Sequence, residues 1–348
     1  MTGKRTRLAV GLAAAAVALA ACATNAPQDT LDPAGPYAEK IDALFKPVFW
    51  VATAVFLLVE GGILYILWRY RHRKGRERIP PQIHGNTRLE IAWTILPAVV
   101  LAGVAVPTVA TIFDLAAEPP GNALNVTVRG HQWWWEFRYT DPEMQVGDNL
   151  PLVTANELVI PADRPVYLTL ESAGSEFGNG LGRAVIHSFS PFRLAGKTDV
   201  IPGKTNHMTI QADEPGEYPG QCAELCGFSH GFMRFEVDAL SPADFDAWVA
   251  GQKEEAAAPS GIAGDLIAST CAACHTIRGV STAASTAPDL THVASRDCLA
   301  GCIFPNTREE LAAWLRDPPA RKLGSFMPDY NLSEEEIEAL VDYLETLE

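Results

Sequence analysis

Cys222-Ala223-Glu224-Leu225-Cys226-Gly227-Phe228-Ser229-His230-Gly231-Phe232-Met233 gathers two thiols, an imidazole and a thioether into one short run. Thiolate and thioether sulfur select copper, and imidazole suits it as well. A mononuclear electron-transfer copper site needs one Cys, two His and a weak axial Met. This run carries one thiolate more, which is what two copper ions bridged by sulfur require. His187, in Ala184-Val185-Ile186-His187-Ser188-Phe189, offers the second imidazole. The alternative is a Cys222–Cys226 disulfide beside an ordinary His230 and Met233, chemically reasonable in an exported chain. Ligands of this kind sit on loops that a rigid scaffold holds in place. Residues 124–240 supply one: Leu124-Asn125-Val126-Thr127-Val128, Glu157-Leu158-Val159-Ile160-Pro161 and Val166-Tyr167-Leu168-Thr169-Leu170 have strand length and alternation, with Gly, Pro and Asp turns between them. That pattern predicts an antiparallel β-sandwich or barrel.

The pattern Cys-x-Glu-x-Cys-x-x-x-His-x-x-Met, preceded by Gly220-Gln221, resembles subunit II of the haem-copper cytochrome c oxidases, whose binuclear copper centre is called CuA. The resemblance implies a cupredoxin-like Greek-key domain in which Cys222 and Cys226 bridge the coppers and His187 and His230 each bind one. Met233 and the backbone carbonyl of Glu224 then complete the set, and the Glu224 carboxylate faces a magnesium ion shared with subunit I. Lys197-Thr198-Asp199-Val200-Ile201-Pro202-Gly203 also matches the family. So does the aromatic run His131-Gln132-Trp133-Trp134-Trp135-Glu136-Phe137, where the resemblance makes Trp133 the point at which electrons enter from cytochrome c; core packing or a membrane-interface belt is the alternative. Two departures stand out. Ala184 occupies the place of the family's usual acid, and Ser190-Pro191-Phe192-Arg193 replaces a common Trp-Val-Pro.

Cys271-Ala272-Ala273-Cys274-His275 is the attachment sequence of c-type haem: two thiols for the vinyl groups and His275 as proximal ligand. A redox dithiol or half a zinc site would share C-x-x-C but does not need the adjacent histidine. Met327, in Gly324-Ser325-Phe326-Met327-Pro328, is the expected sixth ligand rather than a core methionine, since Met/His ligation gives a high-potential haem. Pro288 resembles the proline of small cytochromes c whose carbonyl orients the proximal histidine. Thr307-x-x-Glu310 and Ser333-Glu334-Glu335-Glu336 open two helices with capping boxes, and no strand pattern is evident from residue 263 on, so an all-α class I cytochrome c domain is expected.

Of the seven cysteines, copper takes two and haem two. Cys298 and Cys302 are expected to form a small disulfide pinning a loop over the haem; a second metal site, with His292 nearest, is the alternative. Cys22 closes Leu19-Ala20-Ala21-Cys22, which resembles a bacterial lipoprotein cleavage box after a basic and then apolar start; ordinary signal cleavage or an uncleaved anchor are the alternatives.

Val48 to Trp68 and Ile91 to Phe113 are each long and apolar enough to span a bilayer. The basic stretch between them, Arg69-Tyr70-Arg71-His72-Arg73-Lys74-Gly75-Arg76-Glu77-Arg78, places their connection in the cytoplasm and is no nucleic-acid patch. Glu60 lies within the first span; Glu90 lies at the inner end of the second, where the resemblance puts the mouth of a proton path into subunit I and bare chemistry a plain membrane-edge acid.

The expected order is signal peptide 1–21, transmembrane hairpin 22–117, CuA domain 118–245, linker 246–262 and cytochrome c domain 263–348. The formal net charge is −15, and the haem segment alone has 14 acids against 6 bases, net −8, so a basic soluble cytochrome c would be steered to it as donor unless the fused haem replaces that donor or the charge serves only solubility.

The reading is the electron-accepting subunit II of a proton-pumping haem-copper cytochrome c oxidase in a bacterial inner membrane, partnered by subunits I and III, with copper and haem on the periplasmic side. Oxygen reduction belongs to subunit I, since this chain lacks the intramembrane histidines it needs. The alternatives are a CuA-bearing subunit of a nitric oxide reductase, and a membrane-tethered electron carrier or copper-delivery protein without a catalytic partner.

Overall fold

The computed structural model describes residues 11, 26–71, 82, 84–119, 121–147, 149–174, 184–281 and 286–348. The expected signal peptide apart from residue 11, Cys22 and most of the basic connection between the spans lie outside the described residues.

Two helices lead the chain, α1 (Pro36–Tyr70) and α2 (Thr87–Leu115). Both are long and apolar enough to cross a membrane. Each extends beyond its apolar span, because flanking polar residues continue a helix that the hydropathy pattern stops counting. Asn86 caps α2, its side chain accepting from the Arg88 and Leu89 amides. Lys40 and Asp114 form an ion pair at 2.7 Å that ties the start of α1 to the end of α2.

The β-domain is two facing sheets. Its strands are β1 (Leu124–His131), β2 (Trp134–Tyr139), β3 (Gln145–Val146), β4 (Leu150–Ala155), β5 (Glu157–Pro161), β6 (Val166–Ser172), β7 (His187–Ser190), β8 (Thr198–Val200), β9 (Asn206–Ile210), β10 (Gly216–Cys222) and β11 (Arg234–Leu240). One sheet runs β3-β4-β2-β1-β6-β9 and the other β5-β11-β10-β7-β8. The architecture is the expected Greek-key sandwich, with one difference. β1 pairs β6 in parallel, as β5 pairs β11, because the chain switches sheets between those partners. The inner faces bury Trp135, Phe137, Phe189 and Phe235, with Phe189 stacked on Phe235 at 4.1 Å between ring centres.

The departure at Arg193 has a structural counterpart. Its guanidinium bonds Asp32 at 2.7 Å and lies 5.6 Å from the Tyr218 ring centre, fixing the segment before α1 to the sandwich. Helix α3 (Pro242–Gln252) then packs on the domain through Phe245, which is buried, and Trp248, whose ring lies 5.5 Å from that of Tyr139. Helix therefore occupies the first part of the expected linker, and residues 253–260 carry the connection to the next domain.

The last domain has helices α4 (Gly261–Ser269), α5 (Arg308–Arg316), α6 (Pro318–Arg321) and α7 (Glu334–Leu344). Ile267, Leu311, Leu315, Ile337, Leu340 and Leu344 form its core. Ser333 and Glu336 make a complete capping box on α7. Only half of one forms on α5: the Thr307 hydroxyl accepts from the Glu310 amide, while the Glu310 carboxylate pairs with Arg321. The expectation of no strand is corrected by a two-residue ladder, β12 (Cys298–Leu299) with β13 (Phe304–Pro305), too short to carry a sequence period.

Gly220 on β10 faces the Phe235 ring, and a Cβ there would lie 2.2 Å from it. Gly220→Ala should overpack the core below the copper loop and cost about 1–3 kcal/mol, measured as a lower midpoint in denaturant unfolding. An unchanged midpoint would show that the Phe235 stack yields freely.

Candidate metal centre and haem cavity

β10 ends at Cys222, and β7 begins at His187 beside it, held by the Cys222–Phe189 pairing. The following loop returns through a single turn, His230–Phe232, into β11, bringing Met233 under the site; the Met233 carbonyl accepts from the Cys222 amide at 2.9 Å.

Within this frame the expected donors converge. Cys222 and Cys226 are free thiols, so the disulfide alternative is not realised, and their sulfurs are 3.8 Å apart. Each sulfur faces its own imidazole: Cys222 Sγ lies 3.9 Å from His187 Nδ1, and Cys226 Sγ lies 3.7 Å from His230 Nδ1. Met233 Sδ is 3.9 Å from Cys226 Sγ, and the Glu224 carbonyl oxygen is 3.3 Å from Cys222 Sγ. His187 is wholly buried, and its Nε2 has no hydrogen-bond partner among the described residues, so packing and the Nδ1 contact with Cys222 hold the ring. The hydrogen bond shared by the two sulfurs favours a thiolate at Cys222 over one at Cys226. Two soft bridging donors, each matched to one imidazole, with one thioether and one carbonyl left over, fit a pair of copper ions.

The second site is a cavity shared by the two domains. Its floor in the last domain carries Cys271, Cys274 and His275 from the turn that follows α4; Met327, Phe326 and Leu340 line it too. His275 Nδ1 bonds the Pro288 carbonyl at 2.7 Å, as expected, which leaves Nε2 as the nitrogen for a metal. Cys271 and Cys274 are free and half-buried. Burial holds the His275 imidazole below its ordinary pKa, keeping it in the neutral form a metal binds. The donor set fits a haem attached by two thioethers.

The opposite wall belongs to the β-domain and includes His131, Trp133, Trp134 and Asn156. Trp133 is 5% exposed. Its indole N–H donates to the Cys226 carbonyl at 2.9 Å. Its ring stacks on Phe326 at 5.8 Å with a 5° interplanar angle. Gly227 and Gly324 also lie against it; a Cβ on either would come within 2.8 Å of ring atoms. Behind it, His131 stacks on Trp134 at 4.1 Å and bonds Glu136 at 2.9 Å. Burial alone would raise the Glu136 pKa, but His131 and Arg138 outweigh it and bring it down to about 2.

Glu90 sits in the first turn of α2, away from both sites, and Glu224 is half-buried with its carboxylate accepting from the Leu225 amide at 3.0 Å. Sequence reasoning missed Phe326 and Lys322. Phe326 had a faint signal as the neighbour of Met327; Lys322 had none.

Three family descriptions match consecutive parts of the chain: the transmembrane domain of cytochrome c oxidase subunit II over residues 23–111, its periplasmic domain over 124–240, and cytochrome c over 263–348. A cytochrome c oxidase subunit 2 of Alkalihalophilus pseudofirmus is 38% identical over 329 residues, spanning 91% of this chain and 90% of its own. This chain belongs to the cytochrome c oxidase subunit II family. The subunit 2 of Bacillus sp. strain PS3 is 34% identical with 91% of each chain covered. Among solved structures, the periplasmic domain of subunit II from Bradyrhizobium japonicum matches at 30% identity, covering 38% of this chain and 96% of its own, with a TM-score of 0.31. This subunit II is a membrane protein with extramembrane domains, and its family implies copper in the sandwich and haem in the cytochrome c domain.

Cys222→Ser in the copper-loaded chain should remove the mixed-valence EPR signal, because one thiolate cannot bridge as two do. An unchanged signal would exclude Cys222 as a bridge. Met327→Ala should leave haem attached and lower its reduction potential, read by spectroelectrochemistry, since a thioether favours the ferrous state. An unchanged potential would exclude Met327.

Proposed function

We propose that this chain is the electron-accepting subunit of a haem-copper oxidase, taking electrons at its own haem c and delivering them through CuA to an oxygen-reducing site in subunit I, coupled to proton pumping. The observation that carries the reading is the position of Trp133. It is buried between the two cofactor sites, hydrogen-bonded to the copper loop and stacked on the residue before Met327.

When bound, the copper pair and the haem supply one-electron carriers of suitable potential. The chain holds and spaces them. Cys222, Cys226, His187, His230, Met233 and the Glu224 carbonyl hold copper; Cys271, Cys274, His275 and Met327 hold haem. Trp133 and Phe326 fill the gap with stacked rings and exclude water from it. In this reading the fused domain covers Trp133, so a soluble cytochrome c delivers electrons to the fused haem rather than to Trp133 itself.

The Glu224 carboxylate serves magnesium at the boundary with subunit I, where hard oxygen donors suit that ion. Glu90, on the opposite side of the membrane, admits protons. Subunits I and III and the lipid bilayer cover the hairpin, in a bacterial inner membrane with both cofactor domains on the periplasmic side. Residues 1–21 direct export, and Cys22 becomes the lipid-modified N-terminus.

The test separates the two functions in the assembled oxidase. Trp133→Leu should slow flash-initiated electron transfer from haem c to copper by roughly 10-fold or more while leaving both cofactor spectra intact. Glu90→Gln should lower oxygen turnover and leave that transfer at its normal rate. Normal transfer in Trp133→Leu would overturn the route; normal turnover in Glu90→Gln would make Glu90 a helix-end acid only.

A further inference from the structure

The loop that follows Arg296 lends Cys298, Leu299, Ala300 and Gly301 to the wall of the haem cavity but no donor to either cofactor, and it makes the densest polar contact between the two domains. The Asp297 and Cys298 amides both donate to Glu157 Oε1, at 2.8 and 2.9 Å, at the head of β5 in the copper domain. The Gly301 carbonyl accepts from the Arg234 amide at 3.0 Å, at the start of β11. Cys302 Sγ lies 3.7 Å from the Asn156 carbonyl oxygen. Each of these contacts crosses from the cytochrome c domain to the sandwich.

The loop is shaped for that surface. Ala300, Gly301 and Cys302 follow one another in the left-handed region, at φ of 56°, 82° and 53°. Residues with a Cβ avoid that region, so the turn needs outside support. A Cys298–Cys302 disulfide closes it from within. Gly301 sits where Lys322 and the copper domain meet: a Cβ there would lie 2.6 Å from Lys322 Nζ, 2.9 Å from the Phe232 carbonyl and 3.2 Å from the Trp133 carbonyl.

Lys322 completes the contact. It is 5% exposed, and burial brings its pKa down to about 7. Its Nζ donates to Trp133 O at 2.7 Å and to Ala300 O at 2.6 Å, one carbonyl on each domain. An amine is costly to bury. Here it is held by two acceptors that come together only when the domains are joined.

We propose that the disulfide-closed loop Asp297–Cys302 and Lys322 form a docking latch that seats the cytochrome c domain on Trp133 and so positions haem c for transfer to copper. Lys322 and Gly301 are positioning residues: neither belongs to a donor set. The inference rests on the haem-to-copper route proposed above. Its logic is that hydrogen bonds made only in the docked state bias the equilibrium toward it.

The test uses the full chain carrying haem and copper, as Gly301→Ala, Lys322→Met and the double variant Cys298→Ala/Cys302→Ala. The expected result is parental haem spectrum, haem potential and copper EPR signal, with flash-initiated transfer slowed by about 10-fold, the effect of losing one or two buried hydrogen bonds. Transfer in the variants should also slow as solvent viscosity rises, because the domain must now find its seat by diffusion. Rates within about 2-fold of the parent in Gly301→Ala and Lys322→Met would overturn the latch. Should Lys322→Met lose haem, Gly301→Ala decides, since its added methyl crowds Lys322 Nζ and the Phe232 and Trp133 carbonyls, all of them parts of the latch, while Lys322 itself is kept. If the parent shows no haem-to-copper transfer, the route itself fails. The latch then stands or falls on hydrogen exchange at the Arg234, Asp297 and Cys298 amides: protected in the parent and opened in the variants supports it, equal protection overturns it.

Discussion

The Trp133 indole is the piece around which the two cofactor domains are arranged. Its N–H donates to the Cys226 carbonyl, inside the copper loop, so the ring cannot turn without leaving its own buried donor unpaired. One edge rests on Gly227 and another on Gly324, and its face is covered by Phe326. Two glycines are needed because any side chain at either place would enter the ring. The ring thus joins the copper loop to the segment carrying Met327 through contacts at van der Waals range.

Much of this was legible in the sequence, and what was legible has a common character. The copper donors other than His187, and the haem attachment residues, sit within short spacings, where ligand chemistry constrains residue type at every step. Strand alternation and helix caps are local in the same way. Pro288 was readable only through resemblance, since a carbonyl acceptor leaves no mark in residue type. The parallel pairing of β1 with β6 was not readable, because period-two alternation gives the face of a strand and says nothing of its neighbour's direction. The domain contact was further out of reach. Lys322 and Trp133 are 189 positions apart, and a lysine in an acidic domain reads as solvated surface until both carbonyls are seen around it.

The hairpin has the opposite character. Among the described residues of α2 none is buried, and Lys40 with Asp114 closes only its outer end. Two helices touching along so little of their length leave large apolar faces for lipid and for neighbouring helices, which associate through packing rather than through hydrophobic drive. The extramembrane domains are built the other way, each around its own core. The segment before α1 is fastened to the sandwich by Arg193 and Asp32.

Residues 253–260 are a short tether between α3 and the cytochrome c domain. A tether of that length keeps the two domains at an effective concentration in the millimolar range. A donor that must arrive from solution does so at a rate set by its own abundance and screened by salt. With donor and acceptor on one chain, the step between them becomes first-order. On the proposed route, that step proceeds at the same rate whether the surrounding compartment is rich or poor in carriers.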